Sequence, residues 1–393
     1  MSDCFWRTGA ASERRLRVCG NGADMHEELC TIAMRVREVG LTFTGMRCAK
    51  LFSLAWLTVI CSSSLADGPK IPEAQQVWSV VLAQNTSGLP NTSSSFAGTR
   101  RAVIVGDRVV VIVDVGPLKI EGARTKSTDR LFSLELATGN VKDSRDVEDF
   151  RTPDLYATDD DHVIMGEFSL VRLASDLKPT GERFDEKGHG RTINISPDGS
   201  TLAHELSPGT ELLNSHTLLT TGVQLGIGVP TAVGTSAYVT DNVHWIGDYP
   251  HDKTFVTLVD VSGQHLLYHG ACSGRPSFLS DTKVVVTGCG KVTVISTSGN
   301  GIKEALLRDK DAAFAGVSRD GRRVALRSVE RSFGDPWSVR SEWFTIYDTE
   351  TLQPVALVKS RRTPDEASWS AFSKDGKMFV SGSPQMLTLY KIP

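Results

Sequence analysis

The chain has 393 residues, of which 40% are hydrophobic and 23% are charged, and its formal net charge is −3. This is the composition of an ordinary globular protein, and it excludes disordered and collagen-like chains. It also leaves no basic surplus for sequence-independent binding to phosphates, so we expect no nucleic-acid partner.

A targeting segment is the first feature in chain order. From Met46 onward, two basic residues precede an apolar run at 51–61, and small residues follow it at the two positions that a signal peptidase reads, Ser64 and Ala66. This order is typical of a secretory signal peptide, and the run is short for a membrane span. We therefore expect a signal peptide at 46–66, cleavage after Ala66, and a secreted or periplasmic protein. A buried core helix is the alternative.

The residues before this segment need a separate interpretation. Residues 1–45 mix charges without clear periodicity, whereas a signal peptide begins near the start of a chain. We interpret them as a non-native, disordered upstream extension and Met46 as the true start. The mature chain would then begin at Asp67 and contain no membrane span.

The mature chain opens with an apolar alternating stretch at 75–82 and a polar linker, which together occupy 67–95. Beyond residue 95, short β-branched runs are separated by Gly, Asp, Ser and Pro, a pattern that predicts many short strands. One element recurs as strand, Asp-Gly turn and strand, and Asp-Gly favours the positive φ angles of tight hairpins. Its copies lie at 192–205, 315–328 and 370–383, with a degenerate copy at 278–288.

A second element follows each hairpin and reads as an alternating strand, a polar turn and another strand. Its spacing is that of a propeller blade. Seven copies occur, at 130–139, 167–176, 211–222, 254–263, 291–299, 343–353 and 386–393. We therefore predict an all-β, seven-bladed β-propeller of four-stranded blades over 96–393. The last copy lies at the C-terminus, so we expect the strand at 75–82 to complete the last blade and close the ring.

Two stretches resemble WD-repeat and Tol-type β-propellers. They are Gly188-His189 followed by TINISPDG, and SWSAFSKDGKMFVSGS (368–383) followed by LTLYK. The Trp-Asp ends of WD repeats are absent, because Tyr347-Asp348 and Tyr390-Lys391 stand there. The resemblance implies the fold and little about function, since this fold hosts enzymes and scaffolds alike.

Two of the seven cysteines, Cys272 and Cys289, remain in the predicted mature chain. Strands at 276–280 and 283–289 around an Asp-Thr turn would place them almost opposite each other, close enough for a disulfide. An even pair also suits an oxidising compartment. Two buried free thiols are the alternative.

The sequence contains none of the catalytic motifs that we considered: a nucleophile elbow, a phosphate-binding loop, a dinucleotide fingerprint or a zinc motif. We therefore expect no catalysis and no cofactor. His244, Asp248 and His251 could bind a divalent metal, and Asp159–His162 could bind calcium. At both places a solvated hairpin or turn is the simpler interpretation.

Loop length gives the remaining candidate site. The family resemblance implies that loops joining second to third strands lie on one face, where ligands commonly bind. In the sixth predicted blade this loop is long, at 329–340, and its candidate residues are Arg331, Phe333, Trp337 and Arg340. The loop at 115–129 in the first blade adds Lys119, Arg124 and Lys126. We interpret the two as a locally basic rim for an acidic protein or another anionic macromolecule. Ordinary length variation is the alternative.

These features predict an exported, monomeric, non-catalytic propeller that binds a protein or another large ligand through one face. Two alternatives stay open. One is a propeller enzyme of lactonase or lyase type with a metal in the central funnel, and the other is a structural protein of the cell envelope.

Overall fold

The computed structural model describes the following residues, to which all structural statements refer: 70–82, 99–114, 119–121, 124–126, 129–147, 154–166, 169–185, 192–206, 209–225, 229–230, 238–246, 249–260, 263–270, 275–288, 290–332, 335–360, 369–382 and 386–393.

The described residues from Ile71 onward form an all-β unit of four-stranded antiparallel sheets. Strand β1 (Gln75–Val81) comes first. Sheet 1 contains β2, β3, β6 and β7, and a short hairpin, β4–β5, lies between its second and third strands. The bounds are β2 (Thr99–Val105), β3 (Arg108–Asp114), β4 (Lys119–Glu121), β5 (Arg124–Lys126), β6 (Asp129–Glu135) and β7 (Val141–Val147).

Five further sheets each take four consecutive strands in chain order. Sheet 2 contains β8 (Asp154–Ala157), β9 (Val163–Gly166), β10 (Leu170–Leu173) and β11 (Pro179–Phe184). Sheet 3 contains β12 (Thr192–Ile195), β13 (Thr201–Leu206), β14 (Gly209–Asn214) and β15 (Thr220–Leu225). Sheet 4 contains β16 (Val229–Pro230), β17 (Tyr238–Ile246), β18 (Tyr249–Asp260) and β19 (Gly263–Gly270). Sheet 5 contains β20 (Arg275–Ser280), β21 (Lys283–Gly288), β22 (Lys291–Ser296) and β23 (Ile302–Leu306). Sheet 6 contains β24 (Ala313–Val317), β25 (Arg323–Ser332), β26 (Asp335–Asp348) and β27 (Pro354–Ser360).

Sheet 7 is assembled from both ends of the unit. Its first three strands are β28 (Trp369–Phe372), β29 (Met378–Gly382) and β30 (Met386–Lys391), and β1 is its fourth. Strand β1 pairs with β30 from Gln75 opposite Lys391 to Val81 opposite Met386. The stretch predicted to complete the last blade therefore occupies that position.

The predicted third strands agree with the structure in position. Each of the seven predicted segments contains or overlaps the observed third strand of one sheet, namely β6, β10, β14, β18, β22, β26 and β30. The Asp-Gly copies are the first two strands of sheets 3, 6 and 7, and the degenerate copy is that of sheet 5. The Asp-Gly turns and the alternation of apolar and polar residues thus located these strands correctly.

Neighbouring sheets pack face to face through apolar side chains. Shared clusters join sheet 1 to sheet 2, sheet 2 to sheet 3, sheet 4 to sheet 5, sheet 5 to sheet 6 and sheet 6 to sheet 7. Sheets 3 and 4 meet through β12 and β16. A further cluster joins sheet 7 back to sheet 1 and includes Trp78 of β1. The unit is therefore a β-propeller.

Trp78 shows how β1 is held. Its indole is 8% exposed and packs over Gly139, in the turn between β6 and β7. Its Nε1 donates a hydrogen bond to the carbonyl oxygen of Leu136 at 2.7 Å. Gly139 has a φ of +74°, and a Cβ there would lie 2.8 Å from the indole ring. Glycine thus meets both the backbone conformation and the close approach.

The segment just before β1 contacts sheet 6. Ala74 donates its backbone N–H to Leu357 at 2.9 Å, and Leu357 donates to the carbonyl oxygen of Pro72 at 2.8 Å. The side chains of Lys359 and Glu73 form an ion pair beside these bonds. Residues 72–81 therefore join the outer strands of sheets 6 and 7.

The prediction of a loop at 329–340 was wrong. Strand β25 continues to Ser332 and β26 begins at Asp335, so most of this stretch is a β-ribbon. The cause is the sequence Gly334-Asp335-Pro336, whose turn residues made the alternating residues on either side read as irregular. The stretch at 115–129 likewise contains the hairpin β4–β5.

Two other predictions meet the limits of the described residues. Cys272 and Cys289 lie outside them, although the predicted hairpin between the cysteines is present as β20–β21, with Arg275 opposite Thr287. Within the described part of the chain, no helix has the length and apolar character that crossing a membrane requires.

Candidate functional site

The antiparallel order of the strands gives the propeller two distinct ends. Connections between second and third strands lie at one end, which we call the ribbon end. Connections between first and second strands lie at the other, which we call the turn end. This follows because successive strands run in opposite directions.

Two sheets extend at the ribbon end, and a third has a separate hairpin there; we call all three of these features ribbons. In sheet 6, pairing of β25 with β26 continues past Glu342, the outermost residue of β26 paired with β27, to Ser332 opposite Asp335. In sheet 4, pairing of β17 with β18 continues past Thr254, the outermost residue paired with β19. Sheet 1 has the hairpin β4–β5 at this connection. The same connections in sheets 2, 3, 5 and 7 are only two or three residues long.

The predicted binding residues fall on two of these ribbons. Lys119, Arg124 and Lys126 lie in β4 and β5 of sheet 1. In sheet 6, Arg331 lies in β25 opposite Val339, and Trp337 and Arg340 lie in β26. Phe333 lies outside the described residues, between the two strands. The structure thus places the predicted segments at one end of the fold.

The ribbon of sheet 4 was not predicted as part of this end. In it, Trp245 is opposite Pro250 and Ile246 is opposite Tyr249. Two residues of the predicted metal site, His244 and His251, lie in its strands, and Asp248 lies outside the described residues. The available signal was the length of strand-forming sequence between 238 and 260, which exceeds what one blade needs.

The turn end is built from a repeated four-residue turn. Its pattern is Ser-x-Asp-Gly at 196–199, 318–321 and 373–376, and Thr-Asp-Asp-Asp at 158–161 in sheet 2. The hydroxyl of the first residue donates to the carboxylate of the third at 2.6–2.7 Å in all four. The fourth residue has a positive φ, which is +61° at Asp161 and +68° at Gly321. These bonds fix the turn.

Two second residues, one in sheet 6 and one in sheet 7, reach the same turn of sheet 2. The guanidinium of Arg319 donates to the carbonyl oxygen of Thr158 at 2.5 Å. The ammonium of Lys374 donates to the carbonyl oxygen of Asp159 at 3.0 Å. Burial lowers the pKa of Arg319, and the carboxylates of the neighbouring turns act in the opposite direction. Those carboxylates belong to Asp161, Asp159, Asp198 and Asp160.

The acidic side chains of the sheet 2 turn have partners of their own. Asp160 pairs with Arg172. Burial raises the pKa of Asp160, but hydrogen bonds from Thr158 and Arg172 outweigh it and hold the pKa at about 2. Asp159 pairs with His216 of sheet 3 at 2.5 Å, and Asp161 accepts the backbone N–H of Gly106 from sheet 1 at 3.2 Å. The expected solvated turn is therefore a polar network that joins several sheets.

This network includes the residues at 159–162 that the sequence suggested as a calcium site. Asp159, Asp160 and His216 each place one potential ligand atom within 4.8 Å of the others. Two cations, Arg172 and Arg319, lie beside these carboxylates and already supply positive charge. The acids are thus compensated by the protein itself, and His216 is a member that the sequence analysis did not identify.

Comparisons with known proteins add little to these observations. No protein-family model matches the chain, and no curated protein matches it. Among solved structures, it is similar to the C-terminal WD40 domain of Sif2, with 10% sequence identity and a TM-score of 0.43 over 82% of this chain and 99% of that one. The assignment of the fold rests on the strand pairing described above.

Proposed function

We propose that the chain is an exported binding module whose seven four-stranded sheets close into one ring, and that its ribbon end binds a protein or another large ligand. One observation carries the proposal: two sheets extend as ribbons and a third has a hairpin at the same end, whereas the other four have only short connections there. Extensions at one end of a regular repeat are typical of a recognition surface on a rigid scaffold.

The spacing of the ribbons supports contact with a large partner. Counted around the ring, sheets 1, 4 and 6 are separated by steps of three, two and two sheets, so the ribbons surround the central opening. The ribbon of sheet 6 extends roughly 10–15 Å beyond its sheet, at about 3.3 Å per residue. A specific protein interface buries about 800 Å² on each partner, and three spaced ribbons can contribute to such an area.

The residue types on the ribbons fit protein recognition. Trp245 and Tyr249 flank the turn of the sheet 4 ribbon, and Trp337 lies near the turn of the sheet 6 ribbon. Arg331 and Arg340 accompany Trp337. Tryptophan, tyrosine and arginine are the residues most enriched at binding hot spots. The basic residues of the sheet 1 ribbon favour an acidic partner.

Export is a separate part of the proposal. It rests on the ordered signal at 46–66, and the first strand of the propeller begins only at Gln75, after the expected cleavage site. N-terminal sequencing of the protein from its native host tests it. We expect Asp67 as the first residue, and a chain that retains residues 1–66 would contradict export by this signal.

Binding is tested by capture from the native host with matched variants. The ribbon variant combines Arg331→Ala, Trp337→Ala and Arg340→Ala. The control variant combines Asp107→Ala, Arg322→Ala and Lys377→Ala, three exposed residues of turns at the opposite end. We expect a partner that the wild type and the control retain at equal levels and the ribbon variant loses by at least tenfold. Equal retention by all three proteins would contradict recognition at the ribbon end.

A further inference from the structure

Arg319 and Lys374 make contacts that local packing does not require. Each belongs to a turn that is complete without its side chain, because the Ser-to-Asp bond and the positive φ already fix the turn. Each side chain nevertheless ends on a carbonyl oxygen of sheet 2. Around the ring, sheets 7 and 1 lie between sheets 6 and 2, so the contact of Arg319 crosses the central opening.

Other contacts gather further sheets at the same place. Asp320 donates its backbone N–H to the carbonyl oxygen of Lys374 at 3.1 Å, which joins sheet 6 to sheet 7. The contacts of Asp161 with Gly106 and of Asp159 with His216 join sheet 2 to sheets 1 and 3. One polar cluster therefore includes sheets 1, 2, 3, 6 and 7.

The position of this cluster relative to the chain termini matters. We call the place where the two ends of the propeller meet the seam of the ring. It includes the pairing of β1 with β30 in sheet 7 and the contact of sheet 7 with sheet 1. Sheets 6 and 7 lie on one side of that contact, and sheets 1 and 2 lie on the other. A bond from Arg319 or Lys374 to sheet 2 therefore spans the seam without involving β1.

The chemistry suits a persistent link. Arginine keeps its charge at all physiological pH values, and its planar group donates in fixed directions. A hydrogen bond from a charged donor contributes more to stability than one from a neutral donor. The surrounding carboxylates offset part of the cost of burying the guanidinium.

We propose that Arg319 and Lys374 form an axial clasp, in which two cations from sheets 6 and 7 bind the turn of sheet 2 and hold the ring together across its seam. The clasp acts at the turn end, opposite the ribbons. It rests on ring closure from the proposed function, and it does not depend on what the ribbons bind.

Hydrogen exchange in the full chain tests the clasp, because the expected effect lies far from the substitution in sequence. The backbone N–H of Asp161 donates to the same carbonyl oxygen of Thr158 that Arg319 contacts. In Arg319→Met, we expect amide exchange in the turn at 158–162 to accelerate by about tenfold, the factor that corresponds to 1.4 kcal/mol. Exchange in β20 and β21 of sheet 5 should not change.

Matched controls separate the clasp from a general loss of stability. Arg322→Met removes an exposed arginine from the same turn and should leave exchange at 158–162 unchanged. Lys374→Met should accelerate it less than Arg319→Met does, because Lys374 is more exposed. Arg319→Gln keeps a neutral hydrogen-bond donor at this position. It is the test variant if Arg319→Met does not fold. Unchanged exchange at 158–162 in both Arg319 variants, or equal acceleration in Arg322→Met, would overturn the proposal.

Discussion

Replacing Trp78 with alanine is the most informative perturbation of the seam. Trp78 lies in β1, is 8% exposed and packs in the cluster that joins sheets 7 and 1. Truncating a buried tryptophan costs on the order of 3–5 kcal/mol, which includes the cavity and the lost bond to Leu136. We therefore expect Trp78→Ala to lower the free energy of unfolding by that amount, as measured by urea denaturation.

Val77 provides the matched control on the same strand. It is 40% exposed, and Val77→Ala should change the free energy of unfolding by less than about 0.5 kcal/mol, as is usual for surface positions. If β1 is the closing strand, Trp78→Ala should also raise the exchange of amides in β30, its pairing partner. A loss below about 1 kcal/mol for Trp78→Ala, or equal effects of the two substitutions, would refute the role of Trp78 at the seam.

Two further predictions concern the turns. The low pKa of Asp160, about 2 instead of 3.8, stabilises the fold above pH 4 or so, and this contribution is lost as the pH falls toward about 2. The difference corresponds to about 2 kcal/mol, which solvent screening reduces to about 1 kcal/mol because the side chain is 37% exposed. Asp160→Asn should thus weaken the acid-dependent loss of stability in urea denaturation at several pH values, and an unchanged pH profile would contradict this assignment. Gly321→Ala should cost at least about 2 kcal/mol, because a Cβ would overlap the carbonyl oxygen of Leu279 in addition to the strain of a positive φ. Gly299→Ala, at a similar φ with open space, should cost only the strain, and equal thermal destabilisation of the two variants would show that the close approach is unimportant.

Much of the fold could be predicted because its signals are local. Alternating residues located the seven third strands, and Asp-Gly turns located the hairpins of sheets 3, 6 and 7. The position of β1 followed from counting the strands of all repeats along the chain, since the last repeat lacked one strand. The inferences about the third strands and the hairpins each use a window shorter than one blade.

The ribbons were missed for a different reason. Polar residues such as Arg331 and Ser332 do not give the alternating apolar pattern of a core strand, so they read as loop although they lie in β25. In sheet 4, residues 241–252 were interpreted as a polar hairpin edge, with metal binding as the alternative, and the structure does have a hairpin there. Only the pairing of Trp245 with Pro250 shows that this stretch is an extension of the blade.

The clasp could not be predicted from local sequence. Arg319 and its partner Thr158 are separated by 161 positions, and no propensity or spacing relates them. The second residue of each Ser-x-Asp-Gly turn was nevertheless a usable signal. The turns hold that residue at one end of a ring, so its identity in different repeats bears on contacts across the opening.

Closure of the propeller by β1 is measured most directly by a cross-link between the two ends of the propeller. Ser79 of β1 lies opposite Thr388 of β30, and their hydroxyl oxygens are 2.9 Å apart. We expect Ser79→Cys with Thr388→Cys to form an intramolecular disulfide under mild oxidation, identified by peptide mapping, in a monomer with native stability. Ser79→Cys with Lys391→Cys is the control, because Lys391 lies opposite Gln75 and should not form this bond. Failure of the first pair to cross-link within one chain, or equal cross-linking of both pairs, would contradict closure of the propeller by its N-terminal strand.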